Sequence, residues 1–254
     1  MFLTLIAPLP EGPDRPDGAW LDRLLRGVRL VRSCLPYTVE VLVVGELPDE
    51  GVEHRLRSAQ VQFVRASGPG RGNAIREGML AASGAWRMCF DPAWSMPPEQ
   101  VLLLIPPALS GMDVAVGSRF MSGATRKKEP FVQDAIGRFS TAVCQVVAST
   151  GIQDPLSVVK AYRGEAAVMV FSRSLEEGWA AEVEGLALAR ELSLTIAEVP
   201  IDWVGTAPVG PRSVGQVASL FSNLLRVRRR LVSGQYPPPE PPLAGFGTDE
   251  WLVV

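Results

Sequence analysis

Short apolar runs alternate with longer amphipathic stretches along most of the chain. Phe2 to Ala7 is apolar except for one threonine and is stopped by Pro8 and Pro10, the pattern of a strand buried on both faces. Pro8 to Gly18 reads as loop. Trp20 to Leu35 then places Trp20, Leu21, Leu24, Leu25, Val28 and Val31 on one side, with arginines elsewhere, which predicts a helix. Val39–Val44 is a second buried strand, Gly45–Gly51 its exit loop, and Val61–Val64 a third strand.

The stretch Gly68–Glu99 is the centre around which the other elements are arranged. It reads as a glycine-rich turn, an amphipathic helix, a short buried strand (Arg87–Phe90) and then Asp91 at the strand's exit. Open α/β sheets hold ligands outside the carboxyl ends of their strands, so Asp91 is the first candidate for chemistry. The pattern continues with a helix over Pro98–Leu109, a strand over Val114–Arg119 and a polar loop over Met121–Pro130. A helix over Gln133–Ser149, a strand over Val158–Tyr162 and a short helix over Gly164–Phe171 come next. A helix over Ala181–Leu192, a strand over Thr195–Val199 and a helix over Val214–Val232 complete the series. Strands alternating with helices predict an α/β fold, a mainly parallel central sheet flanked by helices. Residues 1–232 are expected to form a single domain, and 233–254, with Pro237-Pro-Pro-Glu-Pro-Pro242, an extended proline-rich tail.

Composition narrows the classes of function. An apolar fraction of 47% and a charged fraction of 20% belong to a chain with a full core. A net charge of −2 gives no global field toward nucleic acid. Cys34, Cys89 and Cys144 lack metal-ligand spacing and read as small buried hydrophobes. The single histidine, His54, sits in a polar HRLR setting and reads as a surface residue, which leaves little room for histidine chemistry. No stretch reaches the roughly 18 apolar residues of a membrane span, and the N-terminus lacks the basic start of a signal peptide. A cytoplasmic protein is expected. The Val214–Val232 helix, with an arginine cluster at its end, is read as a core helix or as a peripheral membrane contact.

Six segments, in this order, resemble family 2 glycosyltransferases of the GT-A fold, and within them the dolichyl- and polyprenyl-phosphate mannosyl- and glucosyltransferase branch. Gly70-Arg-Gly-Asn-Ala-Ile-Arg-Glu-Gly78 is similar to the branch's GKGxAxRxG segment, and Phe90–Glu99 stands in the place of DADxSxPPE. Val116-Gly-Ser-Arg119 resembles a GSR strand end, and Gly151–Pro155 with Lys160 a GxxDxxxxxK segment. Trp179–Glu184 resembles the FDxE entrance to a helix, and Glu198–Trp203 an EVPxxW strand. The resemblance implies a Rossmann-like nucleotide-binding fold, a UDP- or GDP-sugar donor, a lipid-phosphate acceptor such as a polyprenyl phosphate, and Mg²⁺ or Mn²⁺ on hard oxygen ligands. It further implies Asp154, Glu182 and Glu184 as catalytic carboxylates. Donor or phosphate contacts fall to Glu11, Glu46, Arg71, Arg119, Arg138, Lys127, Lys128 and Lys160, and metal ligation to Asp91 and Ser95. Other readings stand beside these roles: an ion pair for Arg119, a solvated loop for the two lysines, and dipole-matching charges at a helix N-terminus for Glu182 and Glu184.

The pattern departs from the family where donor and metal are held. The position of the second DxD aspartate is Ala93, which offers no oxygen to a cation. The usual DDGS after the second strand is Gly45-Glu46-Leu47-Pro48, and the first loop keeps only Glu11. The resemblance therefore leaves two readings: a divergent glycosyltransferase with a weakened or absent metal requirement, or a degenerate GT-A protein acting as a nucleotide-sugar-binding, scaffolding or regulatory subunit. A nucleotidyltransferase shares the architecture but calls for a more glycine-rich and basic first loop than Ala7–Gly12.

Overall fold

The structure, a computed structural model, describes residues 2–9, 18–46, 50–105, 111–126, 131–148, 151–204 and 214–239. Seven strands form one sheet: β1 (Leu3–Pro8), β2 (Val39–Gly45), β3 (Gln62–Arg65), β4 (Trp86–Cys89), β5 (Val114–Ser118), β6 (Lys160–Arg163) and β7 (Ile196–Pro200). Their order across the sheet is β3-β2-β1-β4-β6-β5-β7. β3, β2, β1 and β4 run parallel, as do β5 and β7, while β6 is antiparallel to both β4 and β5. The helices are α1 (Gly18–Cys34), α2 (Glu50–Ser58), α3 (Arg71–Ala81), α4 (Phe131–Ala148), α5 (Gly164–Phe171), α6 (Ala181–Glu191) and α7 (Val214–Val232).

Both faces of the central strands are covered, which is why β1, β2 and β5 read as near-continuous apolar runs, whereas the edge strand β3 is partly exposed. Along β1 the side chains alternate. Leu3, Leu5 and Ala7 join one core with α1, and Ile6 joins the other with α3, α5 and α6. The chain moves outward from β1 through β2 to β3, then returns to the other side of β1 as β4. The crevice at the carboxyl ends of β1 and β4 is thus the sheet's switch point, and Asp91 leaves β4 at that place.

Several elements differ from the sequence expectation. α2 lies where the pattern offers only a polar stretch, because Leu56 is its one fully buried residue; His54 is not buried on it. The helix expected over Pro98–Leu109 is a 3₁₀ helix, Pro98–Leu104, followed by Ile105 in an extended conformation. Cys34 is exposed, whereas Cys89 and Cys144 are buried as expected. Glycine matters most at the entrance to α3. Gly70 has φ 103°, and a Cβ on Gly72 would lie 2.1 Å from the Glu176 carbonyl oxygen, so the 174–178 segment closes directly over this helix end.

α7 turns Leu220, Leu224 and Val227 into the protein and leaves Phe221, Leu225 and Val232 exposed. No described helix is long and apolar enough to cross a membrane. Beyond α7 the chain does not leave the domain at once: Tyr236 is buried in the core shared by α5 and α6, and the Arg173 Nε donates to the Pro237 carbonyl at 2.6 Å. The remainder of the expected tail, 240–254, lies outside the described residues.

Candidate active site

Asp91 sits in a tight turn that its own carboxylate caps. The Ala93 and Ser95 amides donate to Oδ1 and Oδ2 at 3.0 and 3.1 Å, and the Trp94 amide donates to the Asp91 carbonyl at 2.8 Å. Trp94 adopts φ 56°, and its indole reaches into α1, where Nε1 donates to the Leu24 carbonyl at 3.3 Å over the bare Cα of Gly27. This anchor fixes the turn against the rest of the domain.

Beside it lies a buried ion cluster drawn from three segments. Arg71, the first residue of α3, donates through Nε and Nη2 to Glu182 Oε1 at 3.1 and 3.0 Å. Lys160, which opens β6, donates to Glu182 Oε2 at 2.8 Å and to the Ser157 carbonyl. Because β6 runs antiparallel to β4, its first residue pairs with Cys89, the last of β4, and Lys160 therefore arrives at the switch point. The Arg71 guanidinium also lies over the Trp179 ring, 5.4 Å from its centroid. Burial, the largest single influence, would lower the Arg71 pKa, but Glu182, with Cys89 and Asp91 acting in the same direction, raises it overall, so the group is held charged. Burial would raise the Glu182 pKa, yet Lys160 and Arg71 together hold it below the ordinary carboxylate value. The Cys89 thiol is pushed up to about 12, first by burial and then by Glu182, and stays protonated.

A second group of predicted residues forms a latch. Asp154 is wholly buried and takes the Arg119 Nε and Nη2 at 2.7 Å each, plus the Arg119 amide at 3.0 Å. Glu198 of β7 accepts the Gln153 and Asp154 amides at 2.8 and 3.1 Å, and the Arg119 guanidinium lies 5.5 Å from the Trp203 ring centroid. Three of the sequence segments thus meet in one ion-paired corner. Asp154 has no exposed surface from which to act on substrate, and Arg119 takes the ion-pair role.

Glu184 lies apart from the Glu182 cluster. Its Oε2 accepts the Ser174 hydroxyl and the Leu175 and Glu176 amides, and its Oε1 accepts the Tyr236 hydroxyl at 2.8 Å. The residue is wholly buried, and its carboxylate ties the 174–176 turn to the segment after α7. Nothing about Tyr236 marked it in the sequence, apart from its being an aromatic two residues beyond Gly234.

Of the remaining candidates, Glu46 is exposed at the exit of β2 and Arg138 is exposed on α4, while Glu11, Lys127 and Lys128 lie outside the described residues. Ser95 is buried, and its hydroxyl has no hydrogen-bond partner among the described residues. The residues around Asp91 do not fit a protein-held Mg²⁺ or Mn²⁺. A hard cation takes several oxygen ligands, and the β4 exit supplies one carboxylate, already engaged by its own turn, with a methyl group at residue 93. Among the described residues no group of three or more His, Cys, Asp or Glu side chains is placed to hold a metal ion.

This sheet, with its antiparallel β6 between parallel pairs, overlays on solved glycosyltransferases. The glucosyl-3-phosphoglycerate synthase of Mycobacterium tuberculosis in complex with Mn²⁺, UDP and glucosyl-3-phosphoglycerate matches with a TM-score of 0.66 and 15% identity, over 91% of this chain and 80% of that one. Its complex with UDP matches with a TM-score of 0.64 and 18% identity, over 99% and 84%. In sequence, the dolichyl-phosphate beta-glucosyltransferase of Mus musculus is 28% identical over 225 residues, 79% of this chain and 66% of that protein. The chain has the GT-A fold and is similar in sequence to dolichyl-phosphate glycosyltransferases. The dolichol-phosphate mannosyltransferase of Pyrococcus furiosus is 30% identical over 103 residues, 40% of this chain and 29% of that protein. The matches to these two relatives thus span between 29% and 66% of the relatives' own length. No protein-family model matches the GT-A chain.

Proposed function

We propose that this protein transfers a hexose from a UDP- or GDP-sugar to a phosphate-bearing acceptor. The observation that carries the reading is the placement of Asp91 beside the Arg71–Glu182–Lys160 cluster at the switch point of a GT-A sheet. Fixed positive charge suits the diphosphate of such a donor, and a carboxylate suits sugar or ribose hydroxyls. In the reaction an acceptor oxygen bonds to the anomeric carbon while the bond from that carbon to the diphosphate oxygen breaks. The nucleoside diphosphate leaves with the electron pair.

A phosphate acceptor is largely ionised near neutral pH and brings a nucleophile that needs no general base. This accords with a site in which Asp154, Glu182 and Glu184 are each buried and engaged by other groups. The relatives named for dolichyl phosphate support this acceptor chemistry, and the structural neighbour named for phosphoglycerate supports the coarser statement that the acceptor bears a phosphate. For a polyprenyl phosphate, contact with the bilayer would fall to Phe221, Leu225 and Val232 of α7 beside Arg228 and Arg229, which flotation with anionic vesicles tests.

Ala93 favours a second reading, a subunit that binds nucleotide sugar without transferring it. Calorimetry with UDP- and GDP-sugars, with and without Mn²⁺, then turnover on a short polyprenyl phosphate and on phosphoglycerate, separates them. Binding with turnover supports the transferase. Binding without turnover supports the subunit, and no binding under any condition overturns both.

A further inference from the structure

We infer that the donor's diphosphate is neutralised by Arg71 of this chain in place of a protein-held divalent cation. The inference rests on the nucleotide-sugar reading above and concerns how the same site meets the charge of the leaving group. Two independent observations carry it.

The first is the donor set. A divalent cation beside Asp91 would have one anionic protein ligand, because residue 93 is alanine, the Ser95 hydroxyl is buried, and Glu46 leaves from β2 on the other side of β1. Two strand spacings, about 10 Å, separate the β2 and β4 backbones. The second is the way Arg71 is held. Both of its hydrogen bonds run from Nε and Nη2 to one oxygen, Glu182 Oε1, which leaves Nη1 without a partner among the described residues. Its plane is further set by Trp179, and Glu182 is itself gripped from the other side by Lys160. Arg71 and Lys160 against Glu182 alone give about +1, which the neighbouring Asp91 carboxylate brings to about zero, so the cations are already fixed in place and a diphosphate meets no net negative charge.

A guanidinium fixed in this way can replace part of what a cation supplies. It presents a planar donor edge to phosphate oxygens, and its charge is in place before the ligand arrives, with no reorganisation needed as negative charge develops on the leaving diphosphate. Glu182 and Lys160 are positioning residues in this arrangement, and Arg71 is the group that touches the ligand.

The test is calorimetry with UDP, GDP and uridine as probes, in EDTA and in Mn²⁺, on the wild type, Arg71→Lys and Arg71→Ala. The expected result is diphosphate binding in EDTA within about threefold of that in Mn²⁺. Arg71→Ala should weaken the diphosphate by about tenfold or more while changing uridine little, and Arg71→Lys should recover part of the loss. Binding of the diphosphate only with Mn²⁺ overturns the inference and leaves the transferase reading intact. Equal loss of uridine and UDP in Arg71→Ala overturns it as well, since that is the signature of a structural role. The wild-type comparison in EDTA decides the matter even if the alanine variant does not fold. No binding of UDP or GDP in any condition removes the nucleotide-sugar reading itself, and this inference with it.

Discussion

Glu182 and Glu184 stand two residues apart on the first turn of α6, yet they belong to different parts of the protein. On a helix that spacing turns side chains about 200° apart, so the two carboxylates leave toward opposite sides. Glu182 faces the switch point and binds two cations, Arg71 and Lys160. Glu184 faces away and is satisfied mainly by neutral donors: a serine hydroxyl, two amides and the Tyr236 phenol, with Arg230 at 4.0 Å. The first cluster lies beside Asp91 and keeps the Arg71 Nη1 without a partner among the described residues. The second closes its own hydrogen bonds and fastens the segment after α7 to the domain. Burial and residue type are alike in the two cases. What differs is whether the surrounding groups leave anything over for a ligand.

The comparison breaks most sharply at Glu182. Replacing it with alanine leaves two buried cations without a counter-charge, which should cost about 3–5 kcal/mol of stability and weaken nucleotide binding by displacing Arg71. Thermal melts read the first effect and calorimetry with UDP the second. A stable variant with unchanged binding would remove Glu182 from the site. On the other side, Tyr236→Phe deletes one hydrogen bond to a buried carboxylate and should cost about 1–2 kcal/mol, with no change in nucleotide affinity. If UDP binding fell in this variant, the two clusters would not be independent.

The smallest effect is a difference in the direction of pH dependence. Glu182 has its pKa lowered by Lys160 and Arg71 against the effect of burial, so its contribution is fully present above the unfolded value near 4.5 and is lost as pH falls through the folded value. Glu176, which belongs to the Glu184 cluster, has its pKa raised, by burial first and by Glu184 second, against the pull of Arg230 and Arg226. Its contribution is fully present below the unfolded value near 4.5 and is lost as pH rises through the raised one. Melts of Glu176→Gln between about pH 3 and 7 should therefore show stability rising more steeply with pH than in the wild type. An unchanged slope would mean that Glu176 has the same pKa folded and unfolded.

Much of the fold was legible because its signals are local. β1, β2 and β5 are apolar runs that need both faces covered, and the α1 periodicity needs a core on one side. α2 was not legible, since a helix that buries only Leu56 carries almost no apolar period. The site was half legible. Residue types at Arg71, Asp91, Lys160 and Glu182 pointed to charge chemistry, and they do meet. Asp154 and Arg119 pointed the same way but pair with each other, and Glu184 is held by a turn and a tyrosine that lie 8 to 52 residues away along the chain.

Residue type and local spacing were enough to predict the strands and most helices, though not α2, and the resemblance of six ordered segments implied the GT-A class and the loss of the second metal-binding carboxylate at Ala93. Which of the conspicuous charges face a ligand is a matter of packing between distant segments. A carboxylate's role depends on what sits within about 3 Å of its oxygens: for Glu182 those neighbours come from α3 and β6, for Glu184 from the 174–176 turn and the chain beyond α7, and for Asp154 from the exit of β5.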